Sequence, residues 1–587
     1  MAQSDARFGY RADLSRTDHD LSRKFGFTCT SGMLLPIFAD VATPGETYYV
    51  THDLDFMRTN QLYAPAMIDV KVHFETFFVP MQMMFQPFEN TIFSLKNLQS
   101  TFYGSGSSLM NNSFPCFAYA SFISLVTNST NMTTDHHADA FRLADMLDLG
   151  EQNFATYTQL STGAYKPNFF PWQLMAYHTI FNYYYRLDDK TQFDNSYCNC
   201  DSSYASSAFG GSWIGWMDIH QRPWNFDYFT SMYCSPIVAN ANMQNVMPTA
   251  TDYNDLAHFG TAQVGDNGTG VVVNESIRGF SSSADSSYSA RHNQLENATY
   301  AIRQMFANEK LAMITGRARK TYDSQVLAHF GVNVPHDVKH DLTLIGADSY
   351  PLHVGEVTSL AATSDAGLGD FAGKGWAQAN DGNHKHKFTA PCHGVIMTIF
   401  SVEPIKRYHV GFGRQNSLYD AFDIPTPEYD RLGNQPVFRF ELGTNAPSGS
   451  TTDIVGWKER YYWNKRRPDK ITAAFMDPQS ATVQYNSYAS YFVAGHPFTL
   501  SNQGTGAAYS RPDLQERFYI DRHAMDLLML TPYLSGWYDG ASEGYSDENW
   551  NNNPWLAYAR DPFIVDSYVK VKKISWMSKD GEPIYPY

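Results

Sequence analysis

Long apolar runs, an excess of basic charge and a patterned set of cysteines are all missing from this chain of 587 residues. No stretch approaches the roughly 18 apolar residues that a membrane helix needs, so a membrane segment is not expected. The opening residues, MAQSDARFGYRADLSR, hold no apolar signal-peptide core. The six cysteines, at positions 29, 116, 198, 200, 234 and 392, lack the rhythm of a disulfide framework. They are expected to be mostly reduced and buried, as in a protein made in the cytoplasm. The formal charge of −16 argues against a surface that coats nucleic acid everywhere, while leaving room for a local basic patch.

Catalytic signatures are equally scarce. The chain has no H-E-x-x-H and no G-x-S-x-G. The nearest approach to a phosphate loop, GLGDFAGKG, has Gly367 and Gly369 misplaced by one residue, and Gly375 stands where a magnesium-binding hydroxyl belongs. Cys198 and Cys200 are spaced more tightly than a zinc knuckle and have no second pair. HKHKFTAPCHG, residues 384–394, gathers His384, His386, Cys392 and His393. A strand would put His384 and His386 on one face, but Lys385 and Lys387 flank them and no neighbouring carboxylate orients the rings. The stretch is therefore expected to be a loop leading into the next strand. Neither a cofactor nor a metal site is expected. Carboxylates are plentiful enough for a glycosidase pair, yet sequence cannot set two of them at a working separation.

What is present is aromatic and lightly charged. Aromatic residues make up 15% of the chain against 17% charged. That balance suits pleated sheets and contact surfaces buried against other subunits. The length exceeds what one compact core usually fills, so large insertions or several domains are implied. Six N-x-S/T triplets, at Asn111, Asn128, Asn131, Asn267, Asn274 and Asn297, are expected to be polar loops.

Several segments alternate like half-buried strands. Residues 46–56 place Tyr48, Val50, Leu54 and Phe56 on one face, after a turn at Pro44 to Glu46. Residues 67–80 set Ile68, Val70, Val72, Phe74, Thr76 and Phe78 against Asp69, Lys71, His73 and Glu75. The run from Val395 to Val402 is apolar on both faces, as in mid-sandwich. Near the end, Val565, Val569 and Val571 oppose Asp566, Lys570 and Lys572. One sheet system is expected to gather both ends of the chain.

Helices are expected after Pro171, with Leu174, Tyr177, Phe181 and Tyr184 as the packing face, and over 295–316, with Leu295, Ile302, Met305, Phe306 and Met313. Polar stretches at 101–135, 235–297 and 359–383 are expected to be long connections. The pattern predicts a mainly β fold, an elaborated sandwich or jelly roll with long inter-strand insertions and a few helices.

One segment stands out in charge. GWKERYYWNKRRPDK, residues 456–470, carries Lys458, Arg460, Lys465, Arg466, Arg467 and Lys470 against only Glu459 and Asp469. Trp457, Tyr461, Tyr462 and Trp463 are interleaved. Cations that neutralise phosphate beside rings that stack on bases are what single-stranded nucleic acid requires. A subunit-contact strand with a solvated charged end is the competing reading. The candidate DNA-facing residues are Lys458, Arg460, Trp463, Lys465, Arg466, Arg467 and Lys470.

Taken together, the blocks HDLSRKFGFTCTSGMLLPIFADVATPGETYYV (19–50), HFETFFVP (73–80), YYYRLDD (183–189) and FDYFTS (226–231) carry a family resemblance. NEKLAMITGRARKTYDSQVLAHFGVNVP (308–335), YDAFDIPTPEYDRLGNQPVF (419–438), ERYYWNKRRPDKITAAF (459–475) and FIVDSYVKVK (563–572) continue it in order. The chain resembles the major capsid proteins of the Microviridae, closest to the gokushovirus branch, over most of its length. It departs from that pattern in the loop ITGRARKTYDS and in MYCSPIV after DYFTS.

The resemblance implies an eight-stranded antiparallel jelly roll, the viral capsid β-barrel, assembling with itself into a T=1 icosahedral shell around circular single-stranded DNA of a small bacteriophage. It implies a shell domain in two parts, 1–234 and 298–587, with 235–297 as a surface insertion forming threefold protrusions that touch a host receptor. It also implies a pilot protein, an internal scaffolding protein and a small DNA-binding protein as partners. The location would be the virion, after synthesis and assembly in the bacterial host cytoplasm. A β-sandwich glycan hydrolase or a glycan-binding protein is the alternative.

Overall fold

The computed structural model describes residues 16–59, 70–85, 134–149, 170–187, 217–233, 341–358, 371–379, 386–405, 412–418, 423–430, 433–442, 454–470, 518–520 and 561–576. It also describes residues 88, 263–264, 271–272, 310, 314, 327–328, 331 and 408. Within these, the strands in chain order are β1 (Thr17–Asp20), β2 (Arg23–Cys29), β3 (Leu35–Ala42), β4 (Thr47–Thr59) and β5 (Val70–Pro80). They continue with β6 (Gln263–Val264), β7 (Val271–Val272), β8 (Thr343–Thr358), β9 (Phe371–Ala379) and β10 (His386–Thr389). The last are β11 (Gly394–Pro404), β12 (Asn434–Phe438), β13 (Ile454–Glu459) and β14 (Phe563–Ser575). Short helices are α1 (Met81–Met84), α2 (Thr134–Met146), α3 (Trp172–Ile180), which runs into a π turn at Phe181–Tyr185, and α4 (Tyr462–Lys465).

The main sheet follows the order β1-β14-β4-β9-β8-β5-β11-β3, with β10 on β4 and β2 on β14. Its ladders are all antiparallel. The path bends back on itself through β8, whose residues 343–352 pair with β5 while 353–358 pair with β9. The two halves then face each other. Phe27 of β2 meets Phe400 of β11 edge-on at 5.0 Å, and Tyr48 of β4 donates to Asp40 of β3 at 2.7 Å. The fold is a mainly β, antiparallel jelly roll. β14 lies between β4 and the two N-terminal strands, so one sheet does gather both ends of the chain.

The alternation of β14 is as expected, with Val565, Val569 and Val571 buried. β11 is buried on both faces throughout. One face of β11 and β5 lines the barrel interior through Phe74 and Phe400, 5.2 Å apart. The opposite face is covered by α3 and residues 217–233. Tyr177 donates to the Leu34 carbonyl at 2.9 Å, and Arg222 pairs with Glu75 at 2.8 Å. That covering layer also removes Glu75 from the solvent face that alternation assigned to it; it is 5% exposed.

Two expected faces are corrected by one extra residue each. In β4 the register against β14 slips between Asp566 and Ser567, which pair with Phe56 and Leu54 and leave Asp55 as the added residue. The bulge reverses the alternation beyond it, so Phe56 is 43% exposed and Met57 is buried instead. In the helix after Pro171, the π turn rotates the last turn, so Tyr185 is buried while Tyr184 is 36% exposed.

Part of the polar stretch 359–383 is not a connection. Residues 371–379 are strand β9, because their backbone pairs with β8 and β4. The final part of GLGDFAGKG, residues 371–375, is therefore extended strand paired with β8 and not a phosphate-cradling loop. Of the cysteines, Cys29 is buried and Cys392 half-buried, both as free thiols. Cys116, Cys198, Cys200 and Cys234, the stretch 101–133, nearly all of the expected helix 295–316 and most of 235–297 lie outside the described residues. Within 235–297 only the two-residue ladder of β6 and β7 is described.

Candidate functional site

The basic segment is built on a small second sheet. β12 and β13 form an antiparallel pair with a bulge at Val437 and Phe438. Tyr233 closes the other edge of β13 through two backbone bonds with Trp457, at 2.8 and 2.9 Å. This edge is the end of the FDYFTS turn. Asp227 shapes that turn by accepting from the backbone amides of Phe229 and Thr230, at 2.9 and 2.8 Å. The outer Asp227 oxygen accepts from Tyr408, and Tyr408 in turn bridges to Lys470 in parallel.

After β13 the chain reverses at Tyr461, in the left-handed region at φ 57°. It makes the single helical turn α4 and leaves extended at Arg466. A tight reversal followed by extended backbone throws the cationic side chains outward. Lys465, Arg466, Arg467 and Lys470 are exposed, together with Asp469. Lys465 is paired with Asp430. The exposed balance is thus carried by Arg466, Arg467 and Lys470.

The other three candidates do different work. Lys458 is 5% exposed, and its ammonium donates to the Ser231 carbonyl at 3.0 Å and hydroxyl at 2.7 Å. It lies 4.1 Å from the centre of the Tyr462 ring. Its position in β13 points Lys458 at the FDYFTS turn, whereas the sequence pattern sets it among the DNA-facing cations. Arg460 is half-buried, over the rings of Tyr429 and Tyr461 at 5.6 and 5.2 Å. Trp463 is half-buried against the core. Tyr461 is buried and Tyr462 stacks on Tyr228 at 6.0 Å, so much of the aromatic share of the motif serves packing.

HKHKFTAPCHG is only partly a loop. His386 begins β10, which pairs with β4, and Pro391 to His393 bend into β11. His384 lies outside the described residues. His386 does have a carboxylate, brought by β8. Its Nε2 is 2.8 Å from Oδ2 of Asp348, and Nδ1 of His52 is 2.7 Å from the same oxygen. Nε2 of His52 lies 2.6 Å from the Thr76 hydroxyl, which is 2.8 Å from that of Thr398. His52 is completely buried. Among the described residues, His52, Asp348 and His386 form a group of side chains that could hold a metal ion.

Sequence reading missed this cluster, although a signal existed. His52 falls at core parity between Val50 and Leu54, where a polar side chain demands partners. His393 is separate, against the Phe88 ring, and burial lowers its pKa.

The remaining buried carboxylates are engaged. Glu75 is held by Arg222 and by the Tyr185 hydroxyl, Glu403 by His73 at 2.9 Å, and Asp561 by Arg142 at 2.8 Å. Glu46 accepts from Ser575 at 2.6 Å and pairs with Lys573 at 3.1 Å. None of these described groups is an open acid–base pair.

Comparison with known proteins agrees with this architecture. A family described as capsid protein (F protein) matches residues 11–103 and 149–537, well over half of the chain. Capsid protein VP1 of Chlamydia phage 1 is 28% identical over 243 residues, covering 39% of this chain and 39% of that protein. The matched region thus spans about two fifths of this curated relative. On the extent of the family match, the chain belongs to the capsid protein (F protein) family of the Microviridae.

Proposed function

We propose that copies of this chain assemble into a closed T=1 icosahedral shell around circular single-stranded DNA of a small phage. The observation that carries the DNA contact is the exposed turn of Lys465, Arg466, Arg467 and Lys470 on a barrel of a capsid family. In a chain of −16, such a local cationic turn lets the particle stay soluble while its inner face holds phosphate. Lys458, Arg460 and Trp463 pack beneath the turn and hold it in shape.

The test is charge reversal. Particles carrying Arg466→Glu and Arg467→Glu are expected to form with normal diameter but package poorly, read as the ratio of nucleic acid to protein. Full packaging, with retention of DNA at raised salt, would refute the assignment.

The same reading takes 235–297 as an exterior insertion at the threefold axes that meets a host receptor. It takes a pilot protein, an internal scaffolding protein and a small DNA-binding protein as assembly partners. Assembly is placed in the bacterial cytoplasm and the mature protein in the virion. Family membership argues against a glycan hydrolase. Glycan binding would be compatible with a coat whose protrusions contact a host surface.

A further inference from the structure

We propose that His52, Asp348 and His386 bind one divalent transition-metal ion, zinc by preference, inside the jelly roll. Two imidazoles and one carboxylate are a borderline donor set, suited to Zn²⁺, Co²⁺, Ni²⁺ or Cu²⁺. Ca²⁺ and Mg²⁺ seek several oxygens and are poorly served by it. The three ligand atoms lie within 4.8 Å of one another. They come from β4, β8 and β10, so an ion would tie together three separate strands where the two halves of the barrel meet.

The surroundings are built for rigidity. The His386 ring packs so closely on Gly346 that a Cβ there would sit 2.3 Å from the ring's Cγ. Gly346 and Asp348 are two apart on β8 and share a face, one seating the ring and the other meeting its Nε2. The His52 ring is stacked on Phe74 at 5.6 Å and held at its far nitrogen by Thr76. A ligating histidine whose second nitrogen is anchored in this way is the usual outer-shell arrangement.

Binding needs a tautomer shift at both histidines, the His386 proton moving from Nε2 to Nδ1, and a small movement of the three ligand atoms, now within 4.8 Å of one another, to a common separation. With His52 Nδ1 on the ion, its proton moves to Nε2 and is donated to Thr76. Thr76 then donates to Thr398, and either hydroxyl of that pair can be the donor. The nitrogen–oxygen separations of 2.7 and 2.8 Å open to about 3.3 Å around a tetrahedral ion with bonds of about 2.0–2.1 Å. His386, with 17% of its side chain exposed, is the side from which the ion arrives and where water completes the coordination.

The test uses the full chain, stripped with EDTA and titrated with ZnCl₂ or CoCl₂. One equivalent is expected to bind, with the ligand-field absorption of low-symmetry Co²⁺ and a rise in Tm of several degrees; MgCl₂ and CaCl₂ should do neither. His386→Asn removes the least buried ligand and should lose at least tenfold in Zn²⁺ affinity together with the Tm response. Thr76→Val keeps every ligand and should weaken binding about 10–100-fold. If the unmodified chain takes up no Zn²⁺ or Co²⁺, or if His386→Asn binds as well as wild type, the cluster is a hydrogen-bonded brace and the proposal is wrong.

Discussion

Glu75 is read from its strand as a solvent-facing residue and lies buried because another part of the chain brings Arg222 to it. Arg222 donates to both carboxylate oxygens, at 2.8 and 3.2 Å, and to Ser401 at 2.9 Å. Burial works to lower the Arg222 pKa, but the Glu75 carboxylate beside it outweighs this and raises it, while burial drives the Tyr185 phenol up. Removing one partner of such a pair strands the other charge in the interior. Arg222→Met is expected to cost about 3–5 kcal/mol in urea unfolding, and the double variant with Glu75→Gln to recover part of it.

His220 stacks on Phe181 at 3.8 Å and on Tyr177 at 5.4 Å, and its Nε2 is 2.7 Å from Nδ1 of His178. Burial and the neighbouring histidine hold its pKa well below the usual value of 6.5. The unfolded chain therefore takes up a proton below about pH 6.5 that the folded chain refuses. Stability from this residue is complete above that pH and falls as the solution is acidified toward pH 5. Urea midpoints across that window should drop for wild type and flatten for His220→Phe. An unchanged slope in the variant would remove His220 as the cause.

At the scale of the element, single-residue insertions decide which side chains enter the core. The bulge at Asp55 exchanges Phe56 for Met57. The π turn exchanges Tyr184 for Tyr185, whose hydroxyl then reaches Glu75. Neither shift can be read locally, because alternation and helical spacing continue unbroken through both sites. Each is set by a partner: β14 for the strand, and the face of β5 for the helix. Met57→Ala is expected to destabilise the isolated subunit by about 2–5 kcal/mol. Phe56→Ser should change it by about 0.5 kcal/mol or less. Equal costs in thermal or urea unfolding would mean that the bulge does not form.

At the scale of the whole molecule, the barrel is closed by contacts between the ends of the chain. Glu46 links the turn at Thr43 to Ser575 and Lys573, and its pKa stays low despite burial because these groups favour the carboxylate. Non-local pairing of this kind slows folding, because the loop-closure entropy is lost before the contacts form. On the proposed reading of residues 235–297 as an exterior insertion of a shell, that stretch is expected to be the first segment cut by a protease in assembled particles, with mass spectrometry locating the nick. Complete protection of that stretch in intact shells would count against its exterior position.

The sequence by itself determined the class of fold and much of which face each strand buries. Its period-two faces in β14 and the first half of β5, its doubly apolar run in β11 and its turn at Pro44 to Glu46 are local consequences of pleating and burial. It also marked the cationic turn at 465–470, since charge needs no partner to be exposed. Only the tertiary structure decided that Lys458 is buried, that Phe56 faces out and that Asp348 joins His52 and His386. Those outcomes depend on which distant strand arrives beside a residue, and long-range pairing is chosen by the closure of the barrel as a whole.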